Sequence, residues 1–175
     1  MERERQTVPL VRRIIGVDPG LASSGWGVVE YSGGKLRYIA HGCITTKADT
    51  AREERLLFIY NSFNKILKKY KPSESAMEKL YFGKNVTSAM GVAEARGVFL
   101  LSLARESLPI TELTPNAIKQ GVAGVVRAEK KQVQKMVMLL LKLDEVPKPE
   151  HSADALGAAI CAAHQSLTVA KKRSK

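Results

Sequence analysis

Three carboxylates and one imidazole stand where a chain of this kind would place chemistry. Asp18 closes the apolar run "RRIIGV" and is followed at once by Pro19-Gly20. Glu78 interrupts the short strand-like segment "SAMEKL" near its end, and Asp154 sits in the first turn of the last helical segment with His151 three residues before it. Open α/β sheets carry their working residues beyond the carboxyl ends of strands, and residues three apart on a helix share a face. Three acids brought together repel one another at neutral pH, and a divalent cation relieves that repulsion. Two Mg²⁺ ions about 3.5–4 Å apart would activate a water and neutralise the leaving oxygen in phosphodiester cleavage. Each acid also has an ordinary explanation. Asp before Pro-Gly starts turns, an acid in a first helical turn gains about 0.3–1 kcal/mol from the macrodipole, and Glu78 could serve strand-edge solubility. Only their joint placement points to a site.

The elements that must position them are legible from periodicity. Val11 to Val17 and Gly25 to Tyr31 read as strands, and Ser32-Gly33-Gly34 turns the chain into a third, Lys35 to Thr45. Leu56, Leu57, Ile59, Tyr60, Phe63, Ile66 and Leu67 recur at helical spacing between Thr50 and Tyr70, before Lys71-Pro72. Strands are expected at Ser75 to Leu80 and Pro109 to Leu113, and helices at Asn85 to Arg105, Pro115 to Gln120, Ala128 to Leu143 and His151 to Leu167. The order β-β-β-α-β-α-β-α-α-α implies a mixed sheet, its first three strands antiparallel, with helices on both faces. The Asn85 to Arg105 helix carries Ala89, Gly91, Ala93, Ala95 and Gly97, so another backbone packs closely on it. That neighbour is either its own sheet or a second copy of the chain.

Composition narrows the partner. Lys and Arg number 28 against 17 acids, a formal net charge of +11, which favours a polyanion such as nucleic acid. Cys43 and Cys161 are far apart and in no metal-ligand spacing, so the chain reads as reduced and cytoplasmic. The start, MERERQTVPLVRR, has no apolar signal core, and the uncharged stretch from Gly157 to Ala163 is too short to span a bilayer. We expect a flexible basic N-terminus over 1–11, one domain over 12–168 and a disordered basic tail over 169–175.

Four segments together resemble the RuvC family of Holliday junction resolvases within the ribonuclease H-like superfamily. They are "IIGVDPGLASSGWGVV", "AMEKLYFGKNVTSAMGVAEARGVFLL", "IKQGVAGVVRAEKKQVQKMVMLLLKL" and "HSADALGAAICAAH", in family order between about Arg13 and Gln165. The resemblance implies a ribonuclease H-like five-stranded mixed sheet. It also implies a homodimeric, Mg²⁺- or Mn²⁺-dependent endonuclease that nicks four-way DNA junctions symmetrically in recombination and repair, working with a branch-migration helicase complex. Carried over, it makes Asp18, Glu78 and Asp154 the metal-binding carboxylates. Where some members show two aspartates three apart in the last helix, this chain has His151 and then Asp154. His151 is kept in the site as a direct ligand, a water-mediated ligand or a proton-transfer group. Imidazole suits softer ions better than Mg²⁺, so Mn²⁺ should serve at least as well.

For DNA binding, Tyr81 and Phe82 follow the Glu78 strand, and an aromatic there would stack on bases at the opened junction, with Tyr81 the better placed. Lys84, Lys119 and Lys130 match the family's basic positions and would contact phosphates near the scissile bond, with Lys130 also stabilising transition-state charge. Two cuts at symmetry-related positions call for a two-fold dimer, and the small-residue helix is the expected interface. The competing readings are a ribonuclease H-like nuclease acting on RNA and a junction-binding module without catalysis.

Overall fold

In the computed structural model the described residues are 10–80 and 86–173, with side chains described for 10–80 and 89–165. Expectations on the N-terminus up to residue 9, on Tyr81, Phe82 and Lys84, and on the last two residues fall outside them. The chain alternates as its patterning requires: β1 (Arg12–Asp18), β2 (Ser23–Ser32), β3 (Lys35–Thr45), α1 (Arg52–Tyr70), β4 (Glu74–Glu78), α2 (Val86–Arg105), β5 (Ile110–Leu113), α3 (Pro115–Ala123), α4 (Lys130–Leu141) and α5 (Glu150–Arg173). Helix α5 thus continues past Leu167, where the sequence reading ends it, into the basic tail.

The five strands lie in the order β3-β2-β1-β4-β5. β1 to β3 form an antiparallel meander, and β4 and β5 add in parallel to β1. The parallel strands have helices between them, as parallel connections demand. Gly33 and Gly34 both have positive φ and close the β2–β3 hairpin, the backbone a tight turn needs there.

Alternation along β1 builds two cores. Ile14 faces a cluster with Leu113, Ile118, Val137, Leu156 and Ile160 from the α3–α4–α5 side. Ile15 and Val17 face the other, with Ile59, Phe63, Met77, Phe99 and Leu103 from α1 and α2. β1 is therefore buried on both faces, which its continuous apolar run implies. On α1 the buried stripe is Ile59, Phe63 and Leu67, while Leu57 is 59% exposed, on the solvent side of the predicted stripe.

The small residues of α2 do not share one face. Ala89, Gly91 and Ala95 are buried, the last in the α1–α2 core, whereas Gly97 is exposed with open space where a Cβ would stand. Met90 and Leu101 are likewise exposed, at 53% and 57%. Packing on its own sheet accounts for the inner set, and the outer set forms an apolar stripe on the solvent side.

A candidate active site at the ends of two parallel strands

Asp18 and Glu78 are the last residues of β1 and β4, neighbouring parallel strands in register from Ile14↔Glu74 to Val17↔Met77. Both carboxylates therefore emerge at the same end of the sheet. The third element is α5, which lies across β1 and β2 with its first turn over that end. It can lie so close because two strand positions lack a side chain. A Cβ at Gly16 would overlap the carbonyl oxygen of Ala155, and one at Gly25 would overlap the carbonyl of His151 and crowd Ser152 N at 2.8 Å. Gly25 is the cross-strand partner of Asp18. Backbone contact at Gly25 thus fixes the height of the α5 first turn above Asp18.

That turn delivers His151 and Asp154. His151 Nδ1 lies 2.7 Å from Asp18 Oδ2, and one ligand atom from each of Asp18, His151 and Asp154 falls within 4.8 Å of the others. Two carboxylate oxygens and an imidazole nitrogen at that spacing form a donor set able to hold one divalent cation. Glu78 stands beside this group. It lines a hollow of about 280 Å³ together with Lys119, Lys130 and Asp154, on a floor of Pro115, Ile118 and Val133.

The electrostatics are those of crowded acids. Burial pushes the Asp18 carboxyl above its ordinary range; the His151 hydrogen bond pulls against that, and the charge of Asp154 adds to it. Glu78 is raised as well, first by burial and then by the charges of Asp18 and Asp154. Lys130 bridges the rim: its Nζ is 2.6 Å from Glu150 Oε1 and 2.9 Å from Asp154 Oδ2. Burial works against the ammonium, but hydrogen bonds to those two carboxylates more than offset it and hold its pKa above the ordinary lysine range.

The raised carboxyl at Glu78 gives an expected pH dependence. A carboxyl whose folded pKa lies above its unfolded one favours the fold at low pH, and that contribution is lost as pH rises through the folded value. Glu78→Gln should therefore raise the Tm of the metal-free protein at neutral pH and flatten its decline between acid and neutral. Thermal melts in chelator across that range check it, and a lower Tm at pH 7 would mean that ionised Glu78 is favourably paired.

Sequence reasoning placed Asp18, Glu78, His151 and Asp154 at one end of one sheet and did not find three supporting residues. Glu150 pairs with Lys130; its signal was only an acid at the first position of α5. Arg96 reaches from α2 to donate to the Glu78 carbonyl at 3.0 Å and pairs with Glu112, contacts that no local pattern announces. Gly25 read as one more strand residue. The arginines Arg12, Arg13, Arg37, Arg52 and Arg96 pair with Glu74, Glu30, Glu94 and Glu112 in the framework, so lysines supply much of the unengaged positive charge.

A five-stranded sheet in this order, with acids at the ends of β1 and β4 and a third acid on a helix crossing them, defines a ribonuclease H-like α/β fold with a cation-ready carboxylate site. A family model described as crossover junction endodeoxyribonuclease RuvC matches residues 14–162, and the chain belongs to that family. The crossover junction endodeoxyribonuclease RuvC of Thermotoga petrophila is 49% identical over 154 residues, 88% of this chain and 93% of the relative. That of Treponema denticola is 48% identical over 147 residues, 84% of this chain and 83% of the relative. Among solved structures, T. thermophilus RuvC in complex with Holliday junction substrate superposes with a TM-score of 0.84 at 30% identity, covering 90% of this chain and 96% of that one. The yeast mitochondrial Holliday junction resolvase Ydc2, 13% identical with a TM-score of 0.71, shares the fold.

Proposed function

We propose that the chain is a structure-specific DNA endonuclease that resolves Holliday junctions by metal-dependent nicking of two symmetry-related strands. The observation that carries this is the grouping of Asp18, His151 and Asp154 within 4.8 Å, beside Glu78, in a chain of a junction-endonuclease family. Asp18, Glu78 and Asp154, with His151, would hold two Mg²⁺ ions, for which Mn²⁺ can substitute. When bound, such ions supply an activated water and neutralise charge at the leaving oxygen. Crowded carboxylates whose charged forms are disfavoured by burial and mutual repulsion are the donors such cations need.

The remaining roles belong to this chain's own groups. Asp18 orients the His151 ring through Nδ1, leaving its other nitrogen free of that bond to serve as ligand or proton carrier. Lys119 and Lys130 line the same hollow as Glu78 and Asp154, so a phosphodiester seated there would meet ammonium groups beside the acids. Tyr81, Phe82 and Lys84 are proposed to act on the junction centre, by stacking and by phosphate contact. The exposed stripe of Met90, Gly97 and Leu101 on α2 is the surface on which a second copy would dock, giving the two-fold dimer that paired cuts require. Work alongside a branch-migration helicase complex in the cytoplasm follows from the family resemblance and accords with two free cysteines, Cys43 and Cys161. No helix among the described residues is long and apolar enough to cross a membrane.

The deciding experiment is cleavage of synthetic four-way DNA, duplex DNA and an RNA–DNA hybrid with Mg²⁺ or Mn²⁺. Paired nicks confined to the four-way substrate are expected. Cleavage of the hybrid alone would make the chain an RNA-directed nuclease, and binding without cleavage a non-catalytic module. Junction affinity should fall steeply with salt, since each phosphate contact releases counterions, and Lys119→Ala should reduce the slope of log K against log salt by roughly 1. An unchanged slope would remove Lys119 from the phosphate contacts.

His151 makes a separate prediction. An imidazole must be neutral to ligate and favours softer ions than a carboxylate does. His151→Asp should shift metal preference toward Mg²⁺. An unchanged Mn²⁺/Mg²⁺ activity ratio would rule out ligation by His151.

A further inference from the structure

Lys130 opens α4 and Glu150 opens α5, and the two meet over the rim of the hollow. The ammonium has two anionic partners, Glu150 Oε1 at 2.6 Å and Asp154 Oδ2 at 2.9 Å. These partners are not equivalent. Asp154 is one of the three residues whose donor atoms converge, and its side chain is 25% exposed; Glu150 lies outside that group, on the surface, with 58% of its side chain exposed. Glu150 also interacts with Gln134 on α4, which helps hold it toward Lys130. An ammonium and a divalent cation that share one carboxylate compete for it, so a lysine resting on Asp154 alone would oppose cation binding.

We infer that Glu150 is a positioning residue that gives the Lys130 ammonium a second anchor, so that the ammonium can yield Asp154 to a divalent cation while staying at the rim for a phosphate. This rests on the reading of Asp18, His151 and Asp154 as a cation site. Neither carboxylate could do the work alone. Asp154 without Glu150 would hold the ammonium by itself, and Lys130 without Glu150 has no second anchor when Asp154 turns to the cation. Glu150 itself reaches no reacting atom.

The test is Mn²⁺ binding to the DNA-free protein, followed by electron paramagnetic resonance, in a cycle of the parent, Glu150→Gln, Lys130→Met and the double variant. Glu150→Gln should weaken Mn²⁺ binding about fivefold in the parent, within the range of surface charge pairs, and less than about twofold once Lys130 is Met. Glu150→Asp should recover part of the loss. In cleavage assays Glu150→Gln should lower kcat with little change in KM for the junction. Equal weakening in both backgrounds would mean that Glu150 acts only as one more negative charge, and no weakening in the parent would remove it from the site; either result overturns the inference. Asp154→Asn serves as the separate control. If it leaves Mn²⁺ binding unchanged, the cation-site reading fails first and the inference falls with it.

Discussion

Asp18→Asn is expected to lower junction cleavage by at least about 10³-fold, a loss of about 4 kcal/mol of transition-state stabilisation, while leaving junction affinity within about threefold. The asymmetry follows from where Asp18 sits. Its carboxylate is hydrogen-bonded to His151 and grouped with Asp154, and the charge of Lys130 is the least of the influences on it, so its own charge serves the cation more than the DNA. Asparagine keeps the shape, and its amide oxygen can still accept from His151 Nδ1, so the ring orientation survives. What disappears is the negative charge at the centre of the donor group. Removing it also relieves repulsion with Glu78 and Asp154, so DNA phosphates should be tolerated at least as well as before. Single-turnover cleavage with Mg²⁺ or Mn²⁺ gives the rate, and gel-shift or fluorescence binding in chelator gives the affinity. Cleavage within tenfold of the parent would take Asp18 out of the catalytic group. Parallel loss of binding would mean that it organises the DNA surface.

Much of this architecture is readable from the chain because local signals agree. Glycines at positive φ, helix-breaking Lys71-Pro72, the β-branched run before Asp18 and the Pro147/Pro149 approach to α5 each mark an element edge, and the order of all ten elements follows. Asp18 and Glu78 could each be put at the carboxyl end of a strand from the apolar runs before them; that the two strands are parallel neighbours is what the structure adds. Contacts between distant segments were a different matter. Lys130 and Glu150 are separated by a helix and a loop, and no periodicity says that the starts of α4 and α5 meet. The small residues of α2 suggested one close-packed face because composition records size and not direction; at 100° per residue, Ala95 and Gly97 point to different sides. Leu57 was counted into the core stripe of α1 for the same reason. The resemblance supplied roles for Tyr81, Phe82, Lys84, Lys119 and Lys130 that spacing alone could not.

Gly25 is where fold and chemistry depend on the same missing atom, and Gly25→Ala should therefore damage both. A methyl there meets the carbonyl of His151 and the amide of Ser152, which are backbone atoms that cannot swing aside as a side-chain tip would. Helix α5 must lift from β2, loosening the packing of Leu156 against Gly27 and of the helix backbone against Gly16. Overpacking of this kind costs about 1–3 kcal/mol, and at a backbone contact the upper end is expected. The same lift carries His151 and Asp154 away from Asp18, whose bond to His151 is 2.7 Å long, and a displacement near 1 Å at a reacting centre costs about 10²-fold in rate. Two measurements separate these effects. Denaturant unfolding reports the stability loss, and cleavage well below the variant's own Tm reports the geometry. The decisive comparison is with Gly157→Ala further along α5, where the new methyl meets only side-chain atoms at ordinary contact distances of 3.6–3.9 Å and helix propensity favours alanine by about 1 kcal/mol. That variant should be as stable as the parent or more so and should keep its cleavage rate. Should Gly25→Ala fold and cut like the parent, the close seating of α5 on β2 would not be what aligns the carboxylates, and the register between strand end and helix start would have to be set by the other contacts of α5, those with β1 and β4 among them.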